Sequence, residues 1–460
     1  MAGSHVVVKN ELSIEIGETK RLAGGDAPMS IADIFSQFVT NLAVSNLETI
    51  SLRYGELTAA LNKEFRDTES KTANTLQVGS FGRKTGINGI SDLDMLYIMP
   101  KSKWETYKDN KQLKILQDVK KAILNRYPTT DVRVDRLVVT VTYTNFHVEV
   151  QPVFEQDDGS YKYPDTKDGG AWKITKPREE MSAFAQLDQE KNSNLRRLSK
   201  MARAWRNKHG VVMGGLLIDT LAYNFLTSTT DYDTKSFLYY DWMSRDFFKY
   251  LSELPKQDRY NAPGSNQHVK VKKAFQRKAK KAYNLCLDAI AAENTDQVND
   301  KWKKVYGRPF PDREIDLAES TGRKALSWNN TEQFIEDRFK VDIRYNLSID
   351  CDIKQNGFRE HTLRDMLAKR FPLLSKRALE FYVTEIDVPG DYAIYWKVLN
   401  RGEEAQRRDQ IRGQIISDGG YHRRKETSTF KGDHIVECYA VQNGVVVAKD
   451  RIHVPISTNS

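Results

Sequence analysis

The chain has 460 residues, enough for two or three domains. With 39% hydrophobic and 29% charged residues it reads as globular; no apolar run is long enough to span a bilayer and no signal-like segment lies near the start, so a membrane role is excluded and a cytoplasmic location expected. A net charge of +9 suits a polyanionic partner, a nucleoside triphosphate or a nucleic acid, although 71 basic against 62 acidic residues is mostly an ordinary solvated surface.

Residues 1–28 read as a flexible arm or an expression remnant, closed by the break Gly24-Gly25-Asp26-Ala27-Pro28. Ser30 is a helix N-cap, and the spacing of Ile31, Ile34, Phe35, Phe38 and Leu42 predicts an amphipathic helix. A second apolar stripe runs from Leu47 through Tyr54 and Leu61 to Phe65. Short strands follow, Thr75 to Val78 and Leu93 to Met99, separated by a Gly-Ser turn. A helix is expected from about Lys103 to Tyr127, then an alternating strand over Val132 to Tyr143 and a further one over Phe146 to Phe154. This order predicts an α+β fold, with a mixed sheet backed by helices.

Residues 155–175, rich in Asp, Gly, Tyr and Lys, read as a long loop, and residues 185–290 as helical with polar breaks. The lysines between Lys270 and Lys281 read as a solvated helix face. A boundary falls in 308–332, which holds prolines and charges without periodicity. Beyond it Val341, Ile343, Tyr345, Leu347, Ile349, Cys351 and Ile353 alternate strictly, predicting one strand, and the stretch from Phe381 to Ile456 predicts several more.

The chemistry sits in Gly79-Ser80-Phe81-Gly82-Arg83-Lys84 and Ser91-Asp92-Leu93-Asp94-Met95-Leu96. On a strand Asp92 and Asp94 share a face, about 7 Å apart, while Leu93 and Met95 face the core. Two carboxylates so placed repel unless a cation lies between them, and Mg²⁺ (or Mn²⁺) with its preference for carboxylate and phosphate oxygens meets that need. A turn without a Cβ at Gly79 lets the backbone approach a triphosphate, Ser80 adds a hydroxyl, and Arg83 and Lys84 stand by to balance phosphate charge. Glu149, between Val148 and Val150, is the favoured third carboxylate, with Asp131 and Asp135 as alternatives in more polar surroundings; His147 reads as a structural neighbour. Cys286, Cys351 and Cys438 are far apart with no CxxC pair, and the eight histidines have no ligand spacing, so neither a disulfide framework nor a cysteine zinc site is expected.

Together, Gly79-Ser80, Asp92-Leu93-Asp94 and Glu149 resemble the active site of the cGAS/DncV-like nucleotidyltransferases over roughly residues 30–310. The resemblance implies a polymerase β-like core with a helical second lobe, and a product, a cyclic di- or trinucleotide, that diffuses to an antiphage effector. It also assigns Asp92, Asp94 and Glu149 as metal-binding acids and Gly79 and Ser80 as the phosphate-binding turn. Leu195 to Trp205 is similar to the family helix that supplies a basic contact to the donor triphosphate, so Lys200 or Arg203 could serve; a helix packing on the core through Leu195, Leu198 and Trp205 accounts for the segment equally well. Gly214-Gly215 resembles the start of the next helix, where family members often carry a serine. The animal enzyme's zinc thumb is absent.

Residues 333–460 resemble the AGS-C sensor domain of some bacterial members, through Tyr395 to Ala405, Ile411 to Ile415, Glu426-Thr427 and His434 to Tyr439. Trp396 and Tyr439 read as core, Arg401 and Arg412 as surface residues with a role in ligand recognition. The expected organisation is 1–28 arm, 29–175 catalytic core, 176–310 helical lobe completing the cleft, 311–332 linker and 333–460 small C-terminal α+β or β-rich domain. The expected partners are ATP, GTP or other triphosphates, and a ligand or nucleic acid at the C-terminal domain. The competing readings are a linear nucleotidyltransferase acting on RNA or protein, and a catalytically silent nucleotide-binding regulator.

Overall fold

The computed structural model describes residues 30–89, 91–312, 333–355, 358–400, 404, 407, 413–428 and 431–457. The expected arm (1–28), most of the expected linker (311–332), and Arg401 and Arg412 lie outside the described residues.

Helix α1 (Ile31–Asn41) starts at a capping box, with Ser30 Oγ accepting from the Asp33 N–H at 3.2 Å and the Asp33 carboxylate accepting from the Ser30 N–H. α2 is Leu47–Arg66. The catalytic sheet is built from β1 (Thr75–Gln77), β2 (Asp92–Ile98), β3 (Asp131–Val134), β4 (Val139–Thr142) and β5 (His147–Glu155), in the order β1-β2-β5-β4-β3. β2 and β5 run parallel, which needs a crossover, and α5 (Gln112–Arg126) supplies it after the single turn α4 (Trp104–Tyr107). One helix was expected over 103–127; the chain instead breaks between Tyr107 and Gln112, where Asn110 takes a positive φ of 51°. The expected strand over 132–143 is a hairpin, turned at Asp135 to Val138. Ile115, Leu116, Val119 and Ile123 of α5 meet Leu57 and Leu61 of α2 beneath Leu93, Met95, Val148 and Val150, closing one core on one face of the sheet. On the other face Leu96 and Val153 pack with Val78 and Tyr161, and Asp92, Asp94 and Glu149 stand beside that small cluster.

Residues 155–175 are not a loop: β6 (Tyr161–Asp165) and β7 (Ala171–Thr175) extend β5 as a hairpin. The sequence hid it because its alternating positions are Tyr, Lys and Trp rather than aliphatic. The second lobe comprises α6 (Pro177–Glu190), α7 (Asn194–His209), α8 (Gly215–Thr227), α9 (Tyr240–Glu253), α10 (Gln276–Ile290) and α11 (Val298–Tyr306), with a small hairpin β8 (Arg259–Asn261) and β9 (His268–Lys270). α1 belongs to this lobe by packing, although the catalytic core was expected to hold it: Phe35 lies edge-on to Trp302 at 5.0 Å and Phe38 meets Phe310 at 4.9 Å. These rings are fully buried, and aromatic edge contacts add roughly 0.5–1.5 kcal/mol each to burial. Among the described residues, no helix is long and apolar enough to cross a membrane.

The C-terminal domain is a sandwich. One sheet holds β10 (Lys340–Val341), β13 (Leu373–Leu374), β15 (Ala393–Leu399), β16 (Ile415–Ser417), β18 (Gly432–Gln442) and β19 (Val445–Ser457). The other holds β11 (Leu347–Gln355), β12 (Phe358–Thr362), β14 (Ala378–Ile386) and β17 (Arg423–Thr427), with α12 (Leu363–Lys369) at its side. Trp396 and Tyr439 are buried, as expected, and Cys286, Cys351 and Cys438 are buried free thiols. The strict alternation from Val341 to Ile353 is not one strand. β10 pairs with β19 in the first sheet and β11 with β14 in the second, so residues 342–346 turn the corner between sheets. Periodicity survives because Ile343 still enters the core, but it could not show that the chain changes sheets there.

Candidate active site

β2 and β5 place the acids. Their parallel register sets Asp94 beside Glu149 and Asp92 beside His147, while Leu93, Met95, Val148 and Val150 anchor the opposite face. Asp92, Asp94 and Glu149 therefore open into a single cleft of about 690 Å³ that the helical lobe and residues 341–345 complete. Of the alternatives, Asp131 lies on the edge strand β3, paired with Arg133, and Asp135 is bonded by the Thr140 hydroxyl; Glu149 alone stands on the strand next to the Asp-Leu-Asp segment. His147 is buried, and desolvation holds its ring below the ordinary histidine range, which fits the structural part expected of it.

The Gly-Ser element is the first turn of a one-turn helix, α3 (Gly79–Gly82), rather than an open turn. The Val78 N–H donates to the Asp94 carbonyl at 3.1 Å, tying it to β2. Gly79 has φ +63°, and a Cβ there would lie 1.7 Å from Asp94 Oδ2. Only glycine fits: the backbone is left-handed, and the carboxylate rests on the bare Cα. Ser80 lines the same cleft.

The basic residues divide between two cavities. Arg83 is buried, its Nε donating to Asp219 Oδ2 at 2.9 Å and its Nη1 facing Glu180 at 3.5 Å. Arg203 donates to both oxygens of the same carboxylate, at 2.5 and 2.9 Å, and the Thr85 hydroxyl adds a fourth donor at 2.9 Å. Burial would favour the neutral acid at Asp219, but Arg203 and then Arg83 hold it below the usual carboxylate range. Arg83 and Arg203 thus bolt α3 to α7 and α8 through Asp219, and both also line the acidic cleft. Lys200 lines a separate cavity of about 890 Å³ on the other side of α3, beside Leu52, Phe81 and Lys84, and not the acidic cleft. Gly214 and Gly215 reach the cleft wall at the start of α8, where the Gly215 carbonyl accepts from Arg203. Asp219 was missed, although an acid inside Leu-Leu-Ile-Asp-Thr-Leu-Ala is a visible signal: an acid on a buried helix face demands a cationic partner.

The fit to a divalent cation is electrostatic. Burial, then repulsion from Asp92, pushes Asp94 up to about 6; burial, then Asp92 and Asp94, pushes Glu149 up to about 8. Such a site disfavours its own charge and calls for a compensating cation. In this structure compensation comes from Arg83 at Asp94 and from Arg344, whose Nη1 pairs with Asp92 and whose Nε donates to Asp342 at 2.8 Å. Among the described residues no group of three or more His, Cys, Asp and Glu forms a ready metal cage. The donor set, three carboxylates on neighbouring strands, nevertheless has the oxygen chemistry that Mg²⁺ and Mn²⁺ take.

Residues 29–188 match the Second Messenger Oligonucleotide or Dinucleotide Synthetase (SMODS) domain, and residues 329–457 match the Adenylyl/Guanylyl and SMODS C-terminal sensor domain (AGS_C). No curated protein matches the chain. Among solved structures it is similar to Escherichia coli MS115-1 CdnC with ATP (14% identity, 61% of this chain and 98% of that one, TM-score 0.46). It is also similar to Bradyrhizobium diazoefficiens CdnG with GTP (11%, 64% and 99%, 0.44) and a Vibrio cholerae DncV mutant (12%, 61% and 87%, 0.44). The SMODS domain match defines a nucleotidyltransferase, and the structure gives it an α+β core. More narrowly, the chain carries a SMODS synthetase domain followed by an AGS-C sensor domain, in keeping with the expected resemblance to the cGAS/DncV-like nucleotidyltransferases.

Proposed function

We propose that the protein is a cyclic oligonucleotide synthase that transfers nucleotidyl groups from ATP, alone or with GTP or another triphosphate, and releases pyrophosphate. Its product would serve as a second messenger that activates an effector in antiphage (CBASS) defence. The observation that carries this reading is the facing of Asp94 and Glu149 across adjacent strands, with Asp92 on the same face and the Gly79-Ser80 turn packed against Asp94.

Asp92, Asp94 and Glu149 would hold Mg²⁺ or Mn²⁺, which when bound supplies charge neutralisation for the triphosphate and for the entering and leaving oxygens. Gly79 and Ser80 present backbone and hydroxyl to the donor phosphates. Glu149, ionised beside the bound cation, would help prepare the attacking ribose hydroxyl. Arg83 and Arg203, held by Asp219 in the cleft wall, would add positive charge near the donor phosphates, while Lys200 lines the neighbouring cavity.

The test incubates the full chain with each labelled triphosphate and Mg²⁺ or Mn²⁺. A phosphatase-resistant product is expected, with none from Asp92→Ala/Asp94→Ala. Label on RNA or protein would instead establish linear transfer, and equal activity of the double variant would refute the site.

A further inference from the structure

The loop at 342–346, which turns from one sheet of the C-terminal domain to the other, leaves its own domain to enter the acidic cleft. Arg344 spends all three arms of its guanidinium there: Nη1 on Asp92, Nη2 on the Ser91 hydroxyl, and Nε on Asp342 at 2.8 Å. The loop is held from both ends. On its own domain, the N–H groups of Asp342 and Arg344 donate to Val446 O and Val447 O at 3.0 and 2.8 Å. On the helical lobe, Arg206 of α7 pairs with Asp342, while Asn207 donates to Val341 O at 2.6 Å and accepts from the Ile343 N–H at 3.3 Å. After β9, Lys272 reaches Arg344 O at 3.2 Å and Lys273 reaches Asn346 Oδ1 at 2.5 Å. The lysine run that read as a solvated face is thus partly an interdomain clasp.

A guanidinium on Asp92 and a metal ion on Asp92 compete for the same carboxylate oxygens. Arg344 carries one charge, has no acceptor, and cannot bridge to a triphosphate as a divalent cation does. Resting on the reading of Asp92, Asp94 and Glu149 as the cation site, we propose that the sensor domain holds the enzyme off by inserting Arg344 among these acids, so that docking of loop 342–346 and binding of the catalytic cations exclude each other. By linkage, any ligand that favours the withdrawn loop raises cation affinity by the factor with which cations favour its withdrawal.

The experiment titrates Mn²⁺ calorimetrically into the full chain without nucleotide, and separately measures pyrophosphate release at limiting and saturating Mn²⁺. Arg344→Ala should bind Mn²⁺ at least about tenfold more tightly than the parent, the scale expected when one partly buried charge pair no longer competes. Its turnover should exceed the parent's at limiting Mn²⁺, with the gap closing at saturation. Asn207→Ala, which loosens the clasp without touching an acid, should shift both measurements the same way by a smaller factor. Unchanged or weaker Mn²⁺ binding in both variants overturns the proposal, as does turnover that falls in Arg344→Ala at every Mn²⁺ concentration, which would make Arg344 a substrate contact. Asp94→Asn separates the two levels: lost Mn²⁺ binding upholds the cation site whatever Arg344 does, and parental binding refutes the site and the proposal together.

Discussion

Replacing Gly79 with alanine isolates the contact between the Gly79-Ser80 turn and Asp94, one of the acids proposed to hold the cation. The added methyl must adopt φ +63°, costing roughly 1–2 kcal/mol of left-handed strain, and it would begin 1.7 Å from Asp94 Oδ2. An ordinary contact needs about 3.4 Å or more, so the carboxylate or the turn must retreat by about 1.7 Å. Misplacing a reacting group by about 1 Å costs on the order of 100-fold in rate, about 2.7 kcal/mol of barrier. The expected outcome is a melting point lowered by about 2–4 °C, and pyrophosphate release from ATP down by about 100-fold or more. Gly419→Ala, where φ is ordinary and nothing lies within 4 Å, is the control and should match the parent in both assays. A Gly79→Ala enzyme that melts slightly lower yet turns over within about threefold of the parent would refute the reasoning, because the carboxylate would then not depend on the bare Cα.

Two further outcomes concern buried charge. Asp219→Asn leaves the guanidiniums of Arg83 and Arg203 without their shared counter-ion, and should cost about 3–5 kcal/mol in urea unfolding; a loss below about 1 kcal/mol would show that the pair is not needed to hold α3. Asp241, buried at the start of α9, is pushed up to about 6 by burial. A carboxyl whose folded value lies above its unfolded 3.8 opposes folding once ionised, so its penalty is fully present above about pH 6 and fades as pH falls toward 4. Asp241→Asn should therefore stabilise the protein at pH 8 by about 1–3 kcal/mol and by much less at pH 4. Equal effects at both pH values in thermal melts would contradict the shift.

The sequence by itself determined what is local. The Ser30 cap, the apolar stripes of α1 and α2, and the acid-apolar-acid pattern at Asp92 to Met95 depend on spacing along one element. Spacing also implied that Asp92 and Asp94 share a face, and valines on both sides of Glu149 placed it on a buried strand. What only the tertiary structure decided were relations between elements. Pairing of β2 with β5 chose Glu149 over Asp131 and Asp135, since strand order is set by the crossover through α5 and leaves no trace in spacing. That Arg83 and Arg203 share one buried counter-ion was not legible either, because Asp219 lies more than one hundred residues from Arg83. α1 left the catalytic core for the helical lobe because its phenylalanines found Trp302 and Phe310. Most of all, a residue such as Arg344 is one arginine among many until the change of sheet at 342–346 carries it across a domain boundary to Asp92, and a contact made by folding two distant segments together is invisible to periodicity.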